Sequence, residues 1–166
     1  MFNMFNIGST SLPEISNNDK LLEVSKIGAL AQVQRLFLLN EGVDVNCNDG
    51  HGWTAIMHAS YNGHVEVIKA LLEHNANVNM PNNAGSSALM NAIVFGHIDC
   101  VRMLVENGAD VTLRNKGGST AKDWAQQHGH LEIVNLLTEA NIIYLRAHYF
   151  VLSTFHSLNF LLYDFT

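Results

Sequence analysis

Nine histidines are the residues of this chain best suited to chemistry, and their arrangement decides how they are read. An imidazole can ligate a metal or move a proton near neutral pH. A metal site, however, needs His, Cys or carboxylate ligands at fixed spacings. His128 and His130 are close in sequence, but no Cys or carboxylate joins them at ligand spacing. His64, His97 and His130 each follow a glycine (Gly63, Gly96, Gly129), 33 residues apart. That regularity marks a structural position, so capping and loop bonds within each repeat are expected of them, and no metal. Lys116-Gly117-Gly118-Ser119-Thr120 has a faint likeness to a phosphate loop, but a true one runs G-x-x-x-x-G-K-[ST] between a strand and a helix. This stretch instead occupies the register of Gly50 to Thr54, a turn. Neither a G-x-S-x-G elbow nor an H-E-x-x-H helix occurs. No catalytic residues and no cofactor are therefore expected. An enzyme reading rests only on the rule that fold does not exclude function.

The elements that position these residues repeat as well. Thr54, Ser87 and Thr120 stand 33 apart, as do Gly52, Gly85 and Gly118, and Ala59, Ala92 and Ala125. Ile68, Val101 and Val134 keep the same register, then Leu71, Leu104 and Leu137, then Val45, Val78 and Val111. A period of this length at many positions predicts a stacked repeat, with a long surface and no built-in chemistry. In the unit 49–81, Asp49-Gly50-His51-Gly52 is a turn. Thr54 stands at the N-cap of a short helix of small residues, and Gly63 ends that helix in the left-handed conformation. Val65 to Leu72 forms a second helix with Val67 or Ile68, Leu71 and Leu72 on one face. Asn75 to Asn79 leads to the next turn. One such unit cannot bury its apolar stripe alone.

The unit resembles the ankyrin repeat, whose pattern runs roughly G-x-T-P-L-H-x-A, G-H, E-V-V-x-L-L, G-A-D-V-N. The matching residues are Gly52-Trp53-Thr54-Ala55-Ile56-Met57-His58-Ala59, Gly63-His64, Glu66 to Leu72 and Asn75 to Asn79. Gly85 to Ala92 with Gly96-His97, and Gly118 to Ala125 with Gly129-His130, match in the next two units. The resemblance implies an all-α solenoid of helix-turn-helix units joined by β-turn or hairpin loops. It divides the chain into 19–48, 49–81, 82–114 and 115–141. The first unit is partial. Asp19 stands where Thr54 does and could cap its first helix. Gly28 to Gly42 is two residues longer than Gly63 to Asn75, which implies an insertion in the longer helix or its exit loop. The family's proline is Ala55, Ala88 and Ala121, and its histidine is Met57, Met90 and Asp123. In the family that histidine ties neighbouring turns; methionine cannot, so these repeats should rely more on packing.

The chain has 166 residues and a net charge of −6 without a basic run, which argues against direct nucleic-acid binding. Two cysteines in different repeats, Cys47 and Cys100, fit a reduced intracellular protein, cytoplasmic and/or nuclear. Residues 1–18 lack a charged n-region and a continuous apolar core, so they read as a flexible lead-in rather than a secretory signal. In 142–166 the register is lost and seven of the fourteen aromatics collect. That tail reads as a cap over the last repeat or as a truncated end of a longer chain; partner binding is a further reading. Its length and its His148, His156 and Asn159 argue against a membrane span.

The family resemblance implies that partners contact the concave side, where turn tips and short helices line up. Its candidate contact residues are His51, Trp53, Tyr61, Asn62, Ala84, Ser86, Val94, Phe95, Lys116, Ser119, Gln127 and His128. Trp53, Tyr61 and Phe95 are large rings at variable positions, of the kind that dominates interface energetics. The alternative is that Trp53 folds over its own turn and Phe95 packs between repeats. Asn46 and Asn79 are candidate β-hydroxylation sites by the same resemblance; otherwise they fix the loop by side-chain hydrogen bonds. The expected function is a non-catalytic, monomeric protein-binding module acting as adaptor, scaffold or inhibitor. The alternative is the regulatory or targeting part of a larger multidomain protein.

Overall fold

The computed structural model describes residues 15–39 and 42–142. The readings of the tail from residue 143 onward, and of the lead-in up to residue 14, lie outside the described residues. Among the described residues the architecture is all-α, a stack of helical pairs: α1 (Asn17–Lys26) with α2 (Leu30–Leu38), α3 (Ala55–Tyr61) with α4 (Val65–Glu73), and α5 (Ala88–Val94) with α6 (Ile98–Glu106). α7 (Ala121–Gln127) is followed by α8, which covers 131–142 of the described residues. Extended pairing is confined, among the described residues, to the isolated bridges Asn48–Thr54 and Arg114–Thr120, which close the turns.

The two layers follow from residue size. α3 is seven residues long and built around Ala55 and Ala59, both wholly buried, so it packs closely on α1 and α5. The longer α4 packs on α2 and α6 through Val67, Ile68 and Leu71. Leu21, Val33, Ile56, Ile68, Leu71, Leu89, Leu104 and Leu137 lie along one continuous core and are at most 1% exposed. Fully burying a side chain of this size contributes about 1.5–3 kcal/mol.

Each pair turns through a glycine. After α3, Asn62 ends the helix and Gly63 takes φ +78°; the His64 N–H then returns to the Ala59 carbonyl at 2.9 Å. The same bond recurs at His97 to Ala92 and at His130 to Ala125. α2, α4 and α6 are each nine residues long and start two residues after their glycine. The extra length of the first unit therefore falls after Leu38, beyond α2.

One expected cap is corrected. Ser16, not Asp19, caps α1: its hydroxyl accepts the Asp19 N–H and donates to the Asp19 carboxylate. Thr54 stands at the N-cap of α3 in the extended conformation, as expected, but its buried hydroxyl finds no partner among the described residues. Ser87 does cap α5, accepting the Met90 N–H, and Thr120 forms a full capping box with Asp123.

The turns are held by one residue each. Asp49 Oδ1 accepts the His51 and Trp53 N–H groups. Asn82 Oδ1 accepts those of Ala84 and Ser86, and Asn115 Oδ1 those of Gly117 and Ser119. Adjacent turns are then stitched by backbone bonds, Asn83 N–H to His51 O at 3.0 Å and Lys116 N–H to Ala84 O at 2.9 Å.

Candidate functional site

The seven residues of α3 and the seven of α5 include no Asp, Glu, Lys or Arg. The face formed by these helices and their turns is built from rings. Trp53 stands one residue before the α3 N-cap, and its indole lies back along the helix to meet His58 at 5.2 Å between centroids. Tyr61 ends α3 and meets Trp53 edge-on, at 5.4 Å and 78°. Phe95, at the end of α5, meets Tyr61 the same way, at 5.0 Å and 77°. Such edge-to-face pairs are worth about 0.5–1.5 kcal/mol beyond their area. The three rings proposed from sequence thus form one unbroken row across two repeats. Trp53 and Tyr61 are half-buried, with Trp53 packed on the core, and Phe95 is 59% exposed. Trp53 does fold over its own unit, while Phe95 is not enclosed between repeats.

The remaining candidates divide by placement. His51, Ala84 and Lys116 stand exposed on the turn tips, and Asn62, Gln127 and His128 are exposed at the ends of the short helices. Val94 and Ser119 are half-buried. Ser86 is corrected: it is 5% exposed, its N–H held by Asn82, and it presents no contact surface. His128 belongs to a second pile of rings, stacked on Trp124 at 5.9 Å and on His130 at 6.1 Å.

The glycine-linked histidines bond differently from the sequence expectation. Their rings reach back to the preceding repeat instead of closing their own. His64 Nε2 lies 3.0 Å from Lys26 O, and His97 Nε2 lies 3.1 Å from Tyr61 O. His130 Nε2 is buried without a partner among the described residues. Each ring covers the glycine of the unit before it: a Cβ on Gly63 would come within 2.9 Å of His97, and one on Gly96 within 2.7 Å of His130. Asn46 and Asn79 also bridge repeats. Asn46 Oδ1 accepts the Asn77 N–H; Asn79 Oδ1 accepts the Asp110 N–H while its Nδ2 donates to Gly108 O.

His58 was not singled out from sequence. Its Nε2 lies 3.2 Å from Asp49 Oδ2, beneath Trp53. Burial pushes the imidazole below its ordinary value of 6.5, against the pull of Asp49. Burial alone would raise the Asp49 carboxyl; the N–H groups of Trp53 and His51, with His58, outweigh it and hold the carboxyl below 3.8. The pair orients Trp53 from below. An Asp nine residues before a His in a repeat turn was the only signal for it.

The Lys116–Thr120 turn cannot cradle a phosphate, because the Gly117 and Ser119 N–H groups are bound by Asn115. A groove of about 610 Å³ also lies between α6 and α8, with Val105, Ala109, Val111, Leu136 and Ala140 in its lining.

A family model described as ankyrin repeats, in three copies, matches residues 21–115, more than half of the chain. The chain belongs to the ankyrin-repeat family. Ankyrin repeats are generally protein–protein interaction modules, and the aromatic row lies along this chain's repeat stack. Over 46 residues the chain is 52% identical to ankyrin repeat domain-containing protein 29 of Danio rerio; the stretch is 27% of this chain and 15% of that relative. Within the ankyrin pattern, Trp53, Tyr61 and Phe95 stand at positions that its motif residues leave open. No described helix is long and apolar enough to cross a membrane.

Proposed function

We propose that this chain is a non-catalytic protein-binding module whose working surface is the Trp53–Tyr61–Phe95 row, flanked by the turn tips at His51, Ala84 and Lys116. The observation that carries the reading is the unbroken ring row along two short helices that carry no Asp, Glu, Lys or Arg. Half-exposed aromatics held in place by edge contacts lose little conformational entropy on binding and supply much apolar area. Such a surface holds or masks a partner, as an adaptor, scaffold or inhibitor does, without acting on it. The free, buried Cys47 and Cys100 support an intracellular setting, cytoplasmic and/or nuclear.

Affinity capture from cell lysate tests this, comparing the wild type with a Trp53→Ala/Tyr61→Ala/Phe95→Ala variant of unchanged circular dichroism. A set of partners lost by the variant supports the reading; an identical set refutes it. A second reading makes the repeats the regulatory or targeting part of a larger multidomain protein. It is favoured by the short share, 15%, that the matched stretch takes of its relative. A transcript that continues past Asn141 in repeat register would establish it.

A further inference from the structure

The hydrogen-bonding character of the aromatic row is lopsided. Along α3, backbone carbonyls that could receive a partner's N–H groups are already used. Ile56 O takes the Ser60 hydroxyl, and His58 O takes both the Asn62 N–H and its side-chain amide. Ser60 O takes the Gly63 N–H, and Tyr61 O lies against His97 Nε2. The donors, in contrast, are idle. Neither the Trp53 indole Nε1–H nor the Tyr61 hydroxyl has a hydrogen-bond partner among the described residues. The face therefore offers rings and donors, few acceptors, and no charge on α3 or α5.

A β-strand would bring N–H groups needing acceptors, and an acidic or basic segment would find no counter-charge on these helices. A proline-rich stretch fits both conditions. Proline has no N–H, and in the polyproline II conformation its carbonyls point outward unbonded. That helix repeats about every 9 Å, three residues at about 3.1 Å each. The row is of the length one such repeat spans: with successive centroids 5.4 and 5.0 Å apart, Trp53 and Phe95 lie at most about 10 Å from each other. Aromatic grooves select such segments because their extended form is already ordered before binding.

We propose that the partner presents an uncharged, proline-rich segment in the polyproline II form, laid across Trp53, Tyr61 and Phe95 with its carbonyls accepting from the indole and the phenol. The proposal rests on the protein-binding reading above and names that partner's chemistry.

The test uses the full chain, ¹⁵N-labelled, titrated with a neutral, acetylated and amidated oligoproline peptide of about nine residues, about three turns. A glycine-serine peptide of equal length is the control. The chain has two tryptophans, Trp53 and Trp124, so two indole N–H signals report separately. We expect the Trp53 signal to move with saturation below about 1 mM, the Trp124 signal to stay, and the control to move neither. Tyr61→Phe keeps the ring and removes the donor; it should weaken binding about 2- to 10-fold, the worth of one hydrogen bond. Phe95→Ala, at an exposed position, should weaken it about tenfold. Raising salt from about 0.05 to 0.5 M should leave affinity within about twofold, as no charge pair is involved. A silent Trp53 signal, an equally active control peptide, or an unaffected Tyr61→Phe variant would each overturn the proposal. If the ring variant still loses partners from lysate while the oligoproline is inert, the segment chemistry is wrong and the protein-binding reading stands. If neither effect occurs, both fall.

Discussion

Replacing Gly63 by alanine tests the contact between repeats most directly. Gly63 has φ +78°, where an L-residue costs about 1–2 kcal/mol. The added Cβ would also stand 2.9 Å from His97 Cε1 and Nδ1 and 3.2 Å from Cγ. The imidazole cannot step aside freely, since its Nε2 lies 3.1 Å from Tyr61 O. Displacing it sacrifices that bond, about 0.5–1.5 kcal/mol, together with some packing. Gly63→Ala should therefore cost about 2–4 kcal/mol in total. Gly108 provides the internal reference: φ is +85°, but a Cβ there meets nothing within 4 Å among the described residues. Gly108→Ala should cost the backbone term alone, about 1–2 kcal/mol. Urea unfolding followed by far-ultraviolet circular dichroism measures both. The double variant Gly63→Ala/His97→Ala completes a cycle. With the imidazole gone the Cβ has room, so the combined loss should fall short of the sum by about 1 kcal/mol. Equal losses at Gly63 and Gly108, or strict additivity in the cycle, would show that the ring does not press on the glycine.

Four other outcomes are expected. Leu104→Ala, at a fully buried site, should cost about 2–5 kcal/mol by thermal or urea unfolding. Asn79→Ala breaks two bonds to the next unit and Asn46→Ala one, so the first should lose more, by about 0.5–1.5 kcal/mol in parallel urea curves. Co-expression with an asparaginyl hydroxylase tests Asn46 and Asn79 as modification sites; an intact mass without added oxygen rules that role out. Stability should also fall on acidification. The folded state disfavours His58 protonation, so its contribution is complete above 6.5 and declines as pH drops through that value toward the lower folded value. Asp49, also depressed, loses its contribution as pH falls from 3.8 toward its folded value. Urea midpoints across pH should show a shallower decline near pH 6 for His58→Gln; an identical pH slope would refute the assignment.

The period of 33 made the helix pairs, the glycine turns and the leucine core readable, because each is a property of a single unit. What passed unread joins one unit to the next. A strict period says that His64, His97 and His130 share an environment, but not that this environment belongs to the preceding glycine. Ser86 shows the converse error. It shares the register of Trp53, and its N–H is held by the turn residue in the same way, so shared register suggested shared exposure; yet the small Ser86 side chain is 5% exposed, while the larger Trp53 indole stays half-buried. The aromatic row was half legible. Trp53, Tyr61 and Phe95 could be picked out as rings at variable positions, but their mutual contact depends on rotamers and on the helix offset between units. His58 was hidden because its partner, Asp49, lies across the turn.

The same distinction explains how the stack tolerates the loss of the family's turn-tying histidine. Methionine at 57 and 90 implied more reliance on packing, and both side chains are indeed wholly buried. But the turns are not left untied. Asp49, Asn82 and Asn115, themselves 33 apart, each take two N–H groups of their own turn, and backbone bonds at His51 and Ala84 join turn to turn. At position 123 a third solution appears, with aspartate closing the capping box on Thr120. The hydrogen-bonding duty has moved from the helix to the first residue of the turn, which leaves the helix positions free for apolar burial. It also leaves His58, one residue beyond Met57, free to pair with Asp49 under Trp53. The first ring of the proposed binding row is thereby supported by the same carboxylate that holds its turn, so Asp49→Ala should loosen the turn and misplace Trp53 together. A loss of binding without loss of stability would separate those two roles.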